Sequence, residues 1–352
     1  MYIESLILNN YRNLKNKKIY FDKNLTIIYG KNAQGKTSII EAIYFLATGK
    51  SFRTKKNLEQ INYEKKDLIL FAKTNSEDFS LKLTKDKKEF YISKNKVSYK
   101  EYIGKFLVVS FSPEDGSLIM DAPENRRKFF NYEIAQVDKF YLEDIIKFQK
   151  ILKFRNRLLR EKKTNDPLFE IYTKKFVELS VRIYKKRKEY IEKLSLYLNQ
   201  KYKELFDIEK NLLIKYEAFF NFSENENMEE KFLNLLESKK EKEKELGFSV
   251  IGPHKDEFSF ILNKQKVKTF ASQGEKKSVI FSLKLAQIEY IINKRNETPI
   301  VLLDDIMAYF DEDRKKIVLE YFSKKNIQCI FTATEKAKIN AKELYVKEGE
   351  VL

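Results

Sequence analysis

The period of the apolar positions changes along the chain. Near the N-terminus they alternate or cluster in short runs. Ile3-Glu-Ser-Leu-Ile-Leu8 and Leu25-Thr-Ile-Ile-Tyr29 predict strands, and Leu68–Lys73, Phe79–Leu83 and Glu89–Ser93 predict a meander with charged turns such as Asp86-Lys87. Past Leu118 the spacing becomes three and four, as at Ile145, Phe148, Leu152 and Leu159, which predicts helix. The stretch from about Leu168 to Phe206 contains no Gly or Pro; at ~1.5 Å per residue it predicts a rod of roughly 55–60 Å. A further helical stretch, Glu229–Glu245, ends in the charge run Lys239–Glu245, expected to be a solvated helix face. From Phe248 onward, strands and shorter helices return. The layout is a β-rich start, a helical insertion and a β/α end, with one domain split by the insertion.

Composition narrows the class. At 352 residues, length suggests about two domains. The 21 Tyr and 28 Phe exclude a disordered chain. No apolar run approaches the ~18 residues of a membrane helix, and the N-terminus lacks a charged-then-apolar signal layout. One cysteine, Cys329, and one histidine, His254, exclude a disulfide scaffold and a Cys- or His-rich metal centre. A cytoplasmic location is expected, with no membrane partner. The 69 Lys+Arg against 52 Asp+Glu leave a net charge of +17, which points to a polyanion. The competing reading is that a lysine-rich composition is a default solvated surface.

With only nine glycines, their placement carries information. Gly30-Lys31-Asn32-Ala33-Gln34-Gly35-Lys36-Thr37-Ser38 matches the phosphate-loop pattern and sits between a predicted strand and a helix-like run. Glycines let successive N–H groups face phosphate oxygens, and the helix N-terminus adds its positive dipole end. In such a loop Lys36 reaches the β- and γ-phosphates of ATP and the Thr37 hydroxyl ligates Mg²⁺. The apolar run Pro299–Leu303 ends in Asp304-Asp305. A buried parallel strand would deliver these carboxylates beside the phosphate loop, Asp304 toward Mg²⁺ and Asp305 as general base for the attacking water.

At this point the pattern resembles the ABC-type ATPase heads, α/β folds whose first lobe carries a mostly helical second lobe. Ala271-Ser272-Gln273-Gly274-Glu275-Lys276 resembles their signature loop; read without the resemblance, Ser272 and Glu275 form a helix capping box. Within that class the chain resembles the bacterial RecF family of recombination-mediator ATPases from end to end. The residues that carry this are Asn10-Tyr-Arg12-Asn13, Ser112-Pro-Glu-Asp115, Pro123-Glu-Asn-Arg126-Arg127, Leu152–Leu159, Gly252-Pro-His254-Lys255-Asp256, Ser272-Gln-Gly-Glu275 and Leu302-Leu-Asp-Asp305. Three departures stand out: Asn131 where an acid is expected, Lys255 where Arg is expected, and Thr332-Ala-Thr334 where the broader class has a switch histidine.

The resemblance implies a first lobe of residues 1–112 and 248–352, with the signature helix near 271–291, and a helical second lobe of 113–247. It implies that Ser272 and Gly274 bind the γ-phosphate of ATP held by a second copy, and that Arg12 touches the nucleotide phosphates. It also implies an ATP-dependent homodimer that grips DNA without sequence preference, weakly hydrolyses ATP in a DNA-dependent way, and acts with RecR and RecO at gaps to help RecA load. An SMC-type chromosome-organising head and an ABC transporter motor are the alternatives. His254 reads as a turn residue bonded to backbone or as a neighbour of the nucleotide or DNA. Arg126 and Arg127 read as helix decoration or as DNA contacts.

Overall fold

Eleven of the thirteen residues of the helix Lys36–Thr48 are buried. A helix that is apolar on nearly every side must be covered on nearly every side, and here two sheets do so. One is a six-stranded sheet in the order Glu350–Val351, Lys342–Lys347, Leu25–Tyr29, Cys329–Ala333, Ile300–Leu303, Val108–Phe111. Its pairings are parallel apart from the terminal hairpin Lys342–Lys347/Glu350–Val351. Ile300–Leu303 and Val108–Phe111 are buried at every position, as strands covered on both faces are. The other sheet is antiparallel, in the order Lys17–Tyr20, Ile3–Asn9, Asp67–Thr74, Asp78–Thr84, Lys88–Ile92, Asn95–Val97. Its long strands alternate between core and surface. Ile39, Ile40, Ile43, Phe45 and Leu46 of the helix join one core with Leu6, Leu70 and Leu81 of the antiparallel sheet and Leu302 and Ile330 of the parallel one. Truncating Phe45 there would cost roughly 3–5 kcal/mol.

The computed structural model describes residues 1–54, 56–220, 227–305, 312–336 and 340–352, with the backbone alone at 312–314. The chain divides into two compact units, Met1–Gly116 with Ile280–Leu352, and Ser117–Val279. The second unit holds the helices Pro123–Val137, Lys139–Arg160 and Pro167–Leu205. The last starts where Pro167 occupies its first turn and Asp166 accepts from Leu168 N at 2.8 Å. A three-stranded antiparallel sheet, in the order Gln265–Lys266, Glu257–Leu262, Leu212–Glu217, completes the unit. Among the described residues, no helix is long and apolar enough to cross a membrane.

Two features differ from the sequence reading. Residues 248–279 group with the helical unit, because Glu257–Leu262 pairs with Leu212–Glu217, a strand the periodicity did not single out. The stretch read as one helix over Glu229–Glu245 is two, Met228–Ser238 and Lys240–Leu246. Nor is its charge run wholly solvated. Glu243 is buried, receives Arg155 Nη2 at 2.6 Å and accepts from Val250 N at 3.0 Å.

Candidate nucleotide site

The strand Leu25–Tyr29 ends at Gly30, whose φ is +149°. A Cβ there would lie 2.3 Å from the Val346 carbonyl oxygen, so the neighbouring strand admits only glycine. Ala33 also has positive φ, and Gly35, at φ +112°, begins the helix Lys36–Thr48 with no side-chain cap. The first N–H groups of that helix are therefore left for an anion. From the other side, Gly349 N donates to Gln34 O at 3.0 Å, and Glu348 N donates to the Gln34 side chain. Asn32, Ala33, Gln34, Gly35, Lys36, Thr37 and Ser38 line a cleft of about 530 Å³ that also includes Arg12, Asn13, Arg53 and Asp305.

Lys36 Nζ donates to the carbonyls of Gly30 at 2.7 Å and Lys31 at 2.9 Å. Burial lowers its pKa, while Asp305 and Asp304 pull the other way. Thr37 Oγ1 donates to Asp304 Oδ1 at 3.0 Å, and Thr332 Oγ1 donates to the same oxygen at 2.9 Å. Burial pushes the Asp304 carboxyl up to about 6; the Thr332 and Thr37 hydroxyls restrain the rise, and Asp305 and Glu114 add to it. Thr37 and Asp304 thus form a hard, oxygen-only pair next to the phosphate loop. Mg²⁺ takes such donors together with phosphate and water.

Asp305 has φ +52°, a left-handed conformation that aspartate tolerates better than most residues. Its N–H donates to Thr332 Oγ1 at 2.9 Å. Thr332 therefore holds both acids of the pair, the side chain of one and the backbone of the other. In the sequence Thr332 stands out only as the place where the broader class carries a histidine.

Arg12, also at positive φ, forks onto Glu41, with Nε to Oε2 at 2.6 Å and Nη2 to Oε1 at 2.7 Å. Glu41 is fully buried and also receives the Ser51 hydroxyl, with Arg53 Nη1 at 3.8 Å. The signal for Glu41 was present in the sequence: an acid inside the apolar run Ile39-Ile-Glu-Ala-Ile43 needs a buried partner.

Ser272 and Gly274 lie in the second unit, at the start of the helix Gln273–Arg295. Ser272 N donates to Glu275 Oε2 at 2.8 Å and Glu275 N to Ser272 Oγ at 3.2 Å, a reciprocal capping box. Lys210 Nζ reaches Glu275 at 2.9 Å. A Cβ at Gly274 would meet nothing nearer than Ser272 Oγ at 3.9 Å, and Gly274 has no positive φ. Among the described residues nothing gives a steric reason for glycine there.

Among the remaining family-like residues of the second unit, Asp256, Asn131, Arg126, Arg127 and His254 make internal contacts, whereas Lys255 is exposed. Asp256 is fully buried; Arg187 Nη1 and Tyr216 OH donate to its Oδ2, and Phe219 N donates to Oδ1 at 2.9 Å. Asn131 Oδ1 accepts from Tyr141 OH at 2.6 Å and Arg187 Nη2 at 2.9 Å, which a neutral amide serves. Arg126 is buried and bidentate on Glu257 at 2.7 and 2.6 Å, and Arg127 donates to Asp256 O at 2.8 Å. Arg126 is therefore neither helix decoration nor a DNA contact in this protomer but a buried ion-pair partner of Glu257. His254 Nε2 donates to Ser249 O at 2.9 Å between the rings of Phe148 and Phe176, and burial lowers its pKa to about 4. It is a neutral turn residue.

Comparison with known proteins places the chain in a family. Residues 2–347 match the RecF/RecN/SMC N-terminal domain model. The chain is 34% identical over 340 residues to a Clostridium botulinum protein named DNA replication and repair protein RecF, covering 95% of this chain and 93% of that one. A Halalkalibacterium halodurans protein of the same name is 35% identical over 346 residues, with coverages of 95% and 93%. The solved structure of the recombination mediator protein RecF with ATP, of the RecFOR pathway, matches at a TM-score of 0.92 and 31% identity over 99% of this chain and 96% of that one. A Smc head domain from Pyrococcus furiosus shares the fold alone, with a TM-score of 0.54 and 17% identity over 99% and 95%. From the phosphate loop, the acidic strand end and these matches together, the chain belongs to the RecF family of ABC-type ATPase heads.

Proposed function

We propose that the protein is an ATP-dependent DNA clamp of recombinational repair. The observation that carries this reading is the 3.0 Å contact between Thr37 and Asp304, which joins the phosphate loop to the acidic strand end around one cleft. ATP lies in that cleft, with its phosphates on the N–H groups of Gly30–Ser38. Lys36 exchanges its two carbonyl acceptors for β- and γ-phosphate oxygens, an exchange that costs no new desolvation because the ammonium is already buried. Arg12, aimed by Glu41, adds a guanidinium at the cleft wall. Thr37 and Asp304 hold Mg²⁺, which offsets charge on the phosphates. Asp305 takes the proton of a water that attacks the γ-phosphorus as the bond to the ADP oxygen breaks.

Gly274 supports assembly. Glycine is a poorer helix former than alanine even in a first turn, and among the described residues nothing crowds the position. A close approach from outside explains the choice. In this reading Ser272 and Gly274 meet the γ-phosphate of ATP on a second copy, so two ATP are buried in a two-fold dimer. The net charge of +17 suits phosphate contacts along DNA. Hydrolysis opens the pair, and RecO and RecR are the partners for RecA loading at gaps in the cytoplasm.

The test is Lys36→Met. It should abolish tight ATP binding and ATP-dependent dimerisation together, read by calorimetry and analytical ultracentrifugation. Normal ATP affinity in this variant would overturn the reading.

A further inference from the structure

Away from the nucleotide cleft, the first unit carries another concavity of about 730 Å³, between the turn Asn62–Lys65 and the hairpin turn at Lys85. Leu58 and Ile61 contribute apolar lining, and Lys65, Lys66 and Lys85 stand exposed around it. Among the described residues, none of these three lysines has a carboxylate within ion-pair distance. Of the nearby acids, Glu64 is held by Lys15 at 2.7 Å and also feels the Tyr63 hydroxyl and Lys65, Asp67 lies near Lys82 at 3.9 Å, and Asp86 lies at the rim. Tyr63 sits at this edge 90% exposed, more than any other large apolar side chain among the described residues.

That exposure is not slack. Asn62, itself 2% exposed, uses every polar group it has: its N–H donates to Asn10 O, its Nδ2 to Arg12 O at 2.6 Å, its Oδ1 accepts from Glu64 N at 3.1 Å and its O from Lys65 N at 2.9 Å. Arg12 N donates in turn to Gln60 O at 2.8 Å. The turn that presents Tyr63 is thus bonded to the backbone of Arg12, whose side chain lines the nucleotide cleft.

We propose that this concavity is a DNA contact in which Tyr63 stacks on an unpaired base and Lys65, Lys66 and Lys85 take the flanking phosphates. A flat aromatic face fringed by lysines is the chemistry of single-strand recognition, and the basic fringe disfavours an acid-poor protein surface. The proposal rests on the reading of the protein as a DNA-binding ATPase and adds a preference for strands with an exposed base. The Asn62–Arg12 bonds connect this contact to the wall of the nucleotide cleft, and by linkage whatever factor ATP adds to the binding of gapped DNA, gapped DNA adds to the binding of ATP.

The experiment compares anisotropy titrations of gapped and intact duplex of one sequence with ATP present. The wild-type protein should prefer the gapped DNA and quench 2-aminopurine placed in the gap. Tyr63→Ala should lose roughly tenfold on gapped DNA, lose the quenching, and keep its affinity for intact duplex, while Tyr63→Phe behaves as wild type. The pair Lys65→Ala and Lys66→Ala should weaken both DNAs and lower the salt slope by about two. ATP affinity without DNA and thermal midpoint report that each variant is folded. Unchanged gap preference and quenching in Tyr63→Ala would overturn the proposal and leave the concavity to a protein partner. A wild-type protein that binds neither DNA would sink the DNA-binding reading itself, a distinct outcome.

Discussion

Asp304 and Asp256 are both buried aspartates, and they live under opposite electrostatics. Asp256, in the second unit, faces a guanidinium, a phenol and a backbone N–H, so its charge is matched. Asp304, in the first unit, has two threonine hydroxyls for partners and a second carboxylate as its neighbour in the chain. It is pushed up to about 6 mainly by burial. A matched buried acid is architecture. One at the edge of a phosphate loop with only hydroxyls bonded to it, and Lys36 as the nearby positive charge, stores a free-energy cost that a bound cation can relieve. The contrast separates function from packing even though both aspartates belong to family-like motifs.

That contrast can be broken by substitution. The largest effect is expected at Asp305, which lines the cleft: Asp305→Asn should retain ATP and strengthen the dimer while steady-state hydrolysis falls about 10²–10⁴-fold. Hydrolysis at the wild-type rate would reassign the base. Next, Arg187→Met should destabilise the fold by about 3–5 kcal/mol in urea unfolding, because it strands the Asp256 charge. A loss under 1 kcal/mol would mean that Asp256 is not matched in the way described.

The third effect has the opposite sign. Asp304→Asn should stabilise the nucleotide-free protein at neutral pH by on the order of 2–3 kcal/mol while abolishing Mg²⁺-dependent ATP binding. The native carboxyl, near 6, holds its proton between about pH 4 and 6 after the unfolded chain has lost it. Wild-type stability therefore falls relative to the variant as pH rises through that window, and the two converge below about pH 4. Thermal melts across the window read this directly; an Asp304→Asn protein less stable than wild type at pH 7 would refute it. The smallest effect is at Gly274. Gly274→Ala should leave stability unchanged or raise it by a few tenths of a kcal/mol (~0.5 at most) from helix propensity and yet weaken ATP-dependent dimerisation. An unimpaired dimer would remove the proposed close approach.

Much of this was legible in the residues. The strand Leu25–Tyr29 is where the apolar run predicts it, because a glycine stops the run, and the long helix Pro167–Leu205 agrees within a residue at each end. What escaped depended on distant partners. Leu212–Glu217 is short, leaves Leu213 exposed, and pairs with a strand some forty residues later. Thr332 escaped because a hydroxyl on a strand has no spacing signature; its role exists only once the strands Ile300–Leu303 and Cys329–Ala333 lie side by side. Glu243 looked solvated inside an alternating charge run, and only the buried Arg155 selects it.

The pairing of Leu25–Tyr29 with Cys329–Ala333 and Lys342–Lys347 has a consequence in time. Both neighbours of this strand emerge some 300 residues after it. At roughly 5–20 residues per second of synthesis, the phosphate-loop strand and its mostly apolar helix wait about 15–60 s for the sheet that covers them. The unit Ser117–Val279 is continuous and can close during that interval. The nucleotide-binding unit can close only after it, and ribosome pausing late in the message should expose the strand Leu25–Tyr29 and the helix Lys36–Thr48 to chaperones for longer than the later elements of the parallel layer.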